Sequence, residues 1–198
     1  MSLSAPVSGL LLAPGAGAGR DQPALVAIDE AVSRLGLVVE RIDFPYRLSG
    51  RRRPDPPQVL MDTVSTAARA LAARAPAAGD STGALVLGGR SMGGRICSMV
   101  VAAGLPAAGL VLVSYPLHPP GRPDKLRTDH FSSVNAPCLF VSGRRDSFAS
   151  VAELEAATAG IGGPVTHVWV EGDHGLRGRD AEVAAIVAEW VGALRAAS

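Results

Sequence analysis

The chain has 198 residues, 47% of them hydrophobic and 4% aromatic, with a net charge of +1. That is enough for one domain over 1–198 with a large core, and it gives no reason to expect nucleic acid or an anionic membrane as a partner. No apolar run approaches membrane-spanning length, and Val7–Ala13 lacks the basic flank and the length of a signal peptide, so a cytoplasmic protein is expected.

In chain order, an apolar run at 8–13 predicts a strand, followed by the small-residue loop Ala13–Gly19. A helix is expected over 22–35, with Asp21 as its N-cap, Pro23 in its first turn and Gly36 to end it. A strand at 37–43 leads into an irregular connection, Tyr46–Pro57, rich in Pro and Arg. A helix over 58–75, a strand at 83–88, a helix over 92–103 and a strand at 108–114 follow. A second irregular connection, Tyr115–Asn135, carries Pro116, Pro119, Pro120 and Pro123 around His118. The remaining elements are a strand at 137–142, a helix over 150–160, a strand at 165–171 and a helix over 180–195. This alternation predicts an α/β fold with a mostly parallel six-stranded sheet and helices on both faces. Neither irregular connection is long enough for a cap domain, so both should rim an open cleft.

The most informative segment is Gly83–Arg95. A short apolar run bounded by glycines leads into Gly89-Arg90-Ser91-Met92-Gly93, and an apolar helical stretch follows. Glycines two residues either side of Ser91 permit a sharp strand-to-helix turn that exposes the hydroxyl above the helix N-terminus. There, unpaired amides can stabilise a developing oxyanion. Cys97 and Cys138 sit in apolar runs and read as core residues rather than a disulfide or metal pair. No metal and no cofactor is expected.

A serine hydroxyl needs a base, and the base needs an orienting acid. In this arrangement the chain order is nucleophile, acid, histidine. His118 and His130 precede the candidate acid loop, and His167 lies inside a strand. His174 follows the last strand directly, in Glu171-Gly172-Asp173-His174-Gly175, at the strand carboxyl end where open α/β sheets carry their sites. Asp146 follows the preceding strand through Gly143-Arg144-Arg145 and is the expected acid. Asp173 is the runner-up, hampered by being adjacent to the histidine it would have to orient.

The Met92 amide, one residue past the serine, is one expected oxyanion donor. The second should come from the loop after the first strand, with Ala16 first and Gly17 next; Pro14 has no N–H to donate. Dinucleotide binding at Gly15-x-Gly17-x-Gly19 is disfavoured, because the G-x-G-x-x-G spacing is absent. Arg51-Arg52-Arg53 reads first as a solvated loop and second as a contact for an anionic substrate group. Arg51 is therefore one candidate substrate contact; His118 is read equally as a second, at the cleft rim, or as a loop histidine held among prolines for structural reasons.

Several motifs span nearly the whole chain: Leu-Ala-Pro-Gly-Ala-Gly-Ala at 12–18, Arg51-Arg52-Arg53-Pro54, and Gly88-Gly89-Arg90-Ser91-Met92-Gly93-Gly94-Arg95. To these are added Ser114-Tyr115-Pro116-Leu117-His118-Pro119-Pro120-Gly121, Asp124-Lys125-Leu126-Arg127, Gly143-Arg144-Arg145-Asp146-Ser147-Phe148 and Gly172-Asp173-His174. On them the chain resembles the α/β-hydrolase superfamily, and within it the small cap-less members related to dienelactone hydrolases. It is similar to a group of compact bacterial hydrolase-like proteins whose eukaryotic relatives include a testis-expressed protein and a subunit of a histone-acetyltransferase complex. Pro14 departs from the histidine that such relatives often carry before the loop glycine. Ser91 departs from the cysteine of true dienelactone hydrolases.

The resemblance implies a serine-hydrolase triad at Ser91, Asp146 and His174, the residues the reading above selects. The expected activity is hydrolysis of a small or exposed carboxylic ester or thioester through an acyl-enzyme. The rival expectation is a hydrolase-fold protein-interaction module with little turnover, docking through the Arg51–Arg53 and His118 loops.

Overall fold

The computed structural model describes residues 6–75 and 82–197. Six strands, β1 (Gly9–Ala13), β2 (Val38–Arg41), β3 (Leu85–Arg90), β4 (Gly109–Val113), β5 (Cys138–Gly143) and β6 (Val165–Val170), form one sheet in the order β2-β1-β3-β4-β5-β6. Every pairing between them is parallel, so the sheet is wholly rather than mostly parallel. The helices are α1 (Pro23–Ser33), α2 (Pro45–Leu48), α3 (Pro57–Ala72), α4 (Met92–Ala102), α5 (Val151–Thr158) and α6 (Asp180–Ala196). None among the described residues is long and apolar enough to cross a membrane.

The alternating side chains of each strand feed two separate cores. Leu11, Leu85, Leu87, Leu110 and Phe140 pack beneath α3 and α4. Leu10, Leu12, Val86, Val111, Leu139 and Val141 pack beneath α1 and α6. The four central strands, β1, β3, β4 and β5, are almost entirely buried, which is why they read as unbroken apolar runs. No segment of the described chain builds a cap over the strand carboxyl ends.

Four local details differ from the sequence expectation. The N-cap of α1 is Gln22 rather than Asp21, and it caps with no side-chain bond. Its amide oxygen instead accepts from the Gly15 amide at 3.1 Å, tying the loop after β1 to the helix that follows. Residues 82–84 form a single 3-10 turn, and β3 begins at Leu85 and runs on to Arg90. The short helix α2 lies in the Pro- and Arg-rich connection, started by Pro45, whose fixed φ suits a first helical turn. The last residues of the helix expected over 58–75 are a turn after Ala72.

Two glycines decide how closely β1, β3 and α4 approach. A Cβ on Gly89 or on Gly93 would collide with the carbonyl oxygen of Ala13. Because that oxygen is backbone, it cannot turn aside. Gly93→Ala is expected to lower the melting temperature by roughly 5–10 °C, the scale of an overpacked core in a domain of this size. Gly160→Ala, where a Cβ meets only the Ala157 carbonyl at 3.7 Å, should shift it by no more than about 1–2 °C. Calorimetry on the two variants checks the contrast.

Candidate active site

The strand-to-helix turn is as tight as the glycine spacing demands. Ser91 is the N-cap of α4 with φ 51° and ψ −117°, a conformation that side-chain-bearing residues rarely adopt. Its amide is fixed by the Val113 carbonyl at 2.8 Å, so the end of β4 holds the turn in place. The amides at the start of α4 have no helical partner four residues back, and the positive end of the helix dipole lies there.

His174 and Asp146 come to that space on neighbouring loops. His174 Nε2 lies 2.9 Å from Ser91 Oγ, and its Nδ1 lies 3.0 and 2.8 Å from the two Asp146 carboxylate oxygens. The Asp146 side chain is 1% exposed and that of His174 19%. Asp146 Oδ1 also accepts from the Phe148 amide at 2.8 Å, so the carboxylate is held by a backbone donor while it faces the imidazole. Buried and hydrogen-bonded, such a carboxylate can fix the imidazole tautomer and stabilise the imidazolium; the outer nitrogen is then free to exchange a proton with the serine.

The remaining candidates are placed as follows. Ala16 and Gly17 are exposed at the tip of a turn closed by the Ala18 amide on the Gly15 carbonyl at 3.1 Å. Their own amides donate to no other group among the described residues, and the Ala16 carbonyl accepts from the Tyr46 hydroxyl at 2.6 Å. His118 is not a rim side chain. It is 5% exposed, with Nδ1 2.9 Å from the Pro119 carbonyl and Nε2 3.5 Å from Glu153, because its loop folds back onto the start of α5. Arg51 is exposed and pairs with Asp55 at 2.7 Å, a contact internal to its own connection.

Asp173 is also exposed, and it accepts the Gly175 amide at 2.8 Å, shaping the loop that carries His174. His130 bonds Ser98 at 2.8 Å, and burial, reinforced by the charge of Arg95, pushes it down to about 4. His167 stacks between Phe140 and Trp169 and bonds Thr158 at 2.9 Å. Both cysteines are free and buried, and burial pushes their thiols up to about 12, far from thiolate chemistry at neutral pH.

Two residues of the site have no role in the sequence reading. Phe148 lays its ring on the His174 imidazole, with centroids 4.0 Å apart and planes at 27°. Its amide holds Asp146, and its carbonyl accepts from the His118 amide at 3.1 Å. One residue thus supports both Asp146 and His174. Arg90 donates to the His174 carbonyl at 2.7 Å, reaching from the end of β3 to the last loop. Burial lowers its pKa, while Asp180, Asp146 and Asp173 act in the opposite direction. Phe148 and Arg90 lie in the motifs Gly143–Phe148 and Gly88–Arg95, but their roles depend on contacts between strands that are distant in sequence.

A wholly parallel sheet with a strained serine turn at a central strand and a histidine and an aspartate on later strand ends defines the α/β-hydrolase class. The chain matches the family described as an alpha/beta hydrolase domain over residues 6–196, and it belongs to that family. Among solved structures it is similar to an alpha-beta serine hydrolase homologue from Coxiella burnetii, at 20% identity and TM-score 0.73, over 94% of this chain and 86% of that one. A dienelactone hydrolase from Anabaena variabilis matches at 20% identity and TM-score 0.73, over 94% and 87%. Est1E from Butyrivibrio proteoclasticus, with ferulic acid bound, matches at 14% identity and TM-score 0.75, over 95% and 90%. At these identities the likeness is one of fold.

Phe148→Ala removes the face against which His174 is stacked. It is expected to slow modification of Ser91 by an organophosphonate by about tenfold, with a smaller loss for Phe148→Tyr, as measured by second-order labelling rates. His130 gives a pH prediction. The unfolded chain takes up its proton near pH 6.5, whereas the folded site refuses it until about 4. His130 therefore contributes nothing above about pH 6.5 and progressively destabilises the fold as pH falls toward 4. Urea midpoints across that range should drop less steeply in His130→Gln than in the wild type.

Proposed function

We propose that the protein is a serine hydrolase acting on a small or exposed carboxylic ester or thioester through an acyl-enzyme. The observation that carries this reading is the unbroken hydrogen-bonded chain from Ser91 Oγ through His174 to the buried carboxylate of Asp146. In the proposed reaction His174 Nε2 takes the Ser91 proton as Oγ attacks the acyl carbon. The Met92 amide and an amide of the Ala16–Gly17 turn hold the oxyanion of the tetrahedral intermediate. His174 returns the proton to the departing alcohol or thiol. Water then attacks the acyl-serine, giving up a proton to His174, and the acid is released as Ser91 regains its own. Asp146 stays ionised throughout and stabilises the imidazolium formed in each half-reaction.

The open cleft favours substrates that need no enclosed pocket, and ester or thioester leaving groups demand less of the acid step than an amine does. The likeness to dienelactone hydrolases and esterases supports a small substrate. The narrower resemblance to hydrolase-like proteins with testis-expressed and histone-acetyltransferase-complex relatives supports membership of a compact, cap-less branch.

A fluorophosphonate probe is expected to label the wild type at one residue, not to label Ser91→Ala, and to label His174→Ala at least about a hundredfold more slowly. Mass spectrometry of the adduct and turnover of a panel of short-chain esters and thioesters check this. Undiminished labelling of folded Ser91→Ala would remove Ser91 as nucleophile. A wild type inert to both the probe and the panel would favour the interaction-module reading.

A further inference from the structure

One group of charges near the candidate site has no ion-pair partner among the described residues. Arg95 lies one turn along α4 from Ser91, its amide donating to the Ser91 carbonyl at 3.1 Å. Residues 91, 95 and 98 share one face of the helix. Helical side chains lean toward the helix N-terminus, here the end that bears Ser91. Arg127 closes the loop after β4. Its amide donates to the Leu117 carbonyl at 2.8 Å and its Nη1 to the Pro116 carbonyl at 3.2 Å. That loop begins two residues past Val113, whose carbonyl fixes the Ser91 amide.

The buried Tyr115 joins the two arginines. Its hydroxyl donates to the Arg127 carbonyl at 2.7 Å, and both guanidinium charges act on it. Arg95 also bears on Arg127 and on His130, so these groups share one neighbourhood. Arg95 and Arg127 are each only partly exposed, and neither is in an ion pair among the described residues. Arg95 Nε is buried with no hydrogen-bond partner.

One half-buried arginine elsewhere, Arg41 at 27% exposure, does have an acid beside it, Asp29 at 2.8 Å. Asp129, one residue from His130, is exposed, and its charge acts on His130. His130 itself is neutral at pH 7 and adds no charge. Two like charges drawn together and partly desolvated are unfavourable unless an anion joins them. The planar donor forks of guanidinium groups match the oxygens of a carboxylate or a phosphate.

We propose that Arg95 and Arg127 form a subsite for an anionic group, a carboxylate or a phosphate, on the ester or thioester that Ser91 attacks. The proposal rests on the reading of Ser91 as nucleophile, and it sharpens that reading to acyl compounds with an acidic tail. It transfers the role of anion contact from the exposed Arg51 loop to a pair of arginines beside the serine turn.

Two measurements test it, one of them free of turnover. The first is calorimetric titration of the Ser91→Ala protein with adipate and, separately, with inorganic phosphate at low ionic strength. Saturable binding of one or both is expected, weakened about tenfold or more in Ser91→Ala/Arg127→Gln and less in Ser91→Ala/Arg127→Lys. Which anion binds more tightly separates carboxylate from phosphate. The second compares 4-nitrophenolate release from mono-4-nitrophenyl adipate and from its methyl ester. The ratio of the two kcat/KM values should favour the acid in the wild type and fall about tenfold or more in Arg95→Gln and Arg127→Gln.

No anion binding in the titration, binding that Arg127→Gln leaves unchanged, or a kcat/KM ratio the same in every folded variant would overturn the subsite. Should Arg95→Gln fail to fold, the Arg127 variants decide alone. A protein that hydrolyses neither ester, yet binds adipate or phosphate through Arg127, would keep the anion site and sink the reading of Ser91. Hydrolysis of both esters with an unchanged ratio would do the reverse.

Discussion

The contact on which the rest of this molecule depends is one of backbone against backbone, where the Ala13 carbonyl at the end of β1 meets the Cα atoms of Gly89 and Gly93. It sets β1 and β3 side by side and brings the first turn of α4 down onto both. With β1 so close, the loop that follows it must emerge beside Ser91. The strained φ of Ser91 is sustained because the residues around it cannot relax: β3 ends in register with β4, and the Val113 carbonyl holds the serine amide. The half-buried serine and the helix N-terminus therefore sit where β1, β3 and α4 meet, for a single steric reason.

The acid and the base reach that point by a second set of backbone approaches. Gly143, at the end of β5, lies so close to the carbonyls of Gly172 and Asp173 that no side chain would fit. The Arg144 and Arg145 amides donate to Val170 and Gly172, both at 2.9 Å, lacing the two loops together. The distance from Asp146 to His174 is thereby fixed before either side chain is considered. Phe148 and Arg90 complete the support, one by stacking on the ring and the other by holding its carbonyl. The His118 loop serves the same frame. Its histidine is drawn under the loop toward Glu153, which also closes the capping box of α5 with Ser150.

Much of this could be read from residues in order. The strands that are buried on both faces announce themselves as unbroken apolar runs, and all six appear within two residues of the expected bounds. The serine turn was readable because glycine spacing is local. Asp146 and His174 were readable because each directly follows a strand in a sheet whose carboxyl ends share one edge. The N-cap of α1 was misread, because Gln22 is drawn away by a loop amide seven residues earlier. His118 stayed open between a rim contact and a structural role because nothing in Pro-Leu-His-Pro-Pro tells which way a constrained loop turns, and only the docking of that loop on α5 buries it.

By itself, the sequence determined the order of the strands and of the five longer helices, the strained turn at Ser91 and the three residues that meet there. These depend on short-range facts: apolar periodicity, glycine where a side chain cannot go, and position relative to a strand end. Only the tertiary structure decided which ring supports His174, which side chain holds its carbonyl, and that Arg95 and Arg127 come near one another, neither in an ion pair among the described residues. Those contacts join residues 26 to 84 positions apart in sequence. They arise from which face of α4 meets which loop, a relation that packing of the whole sheet sets and no local pattern encodes.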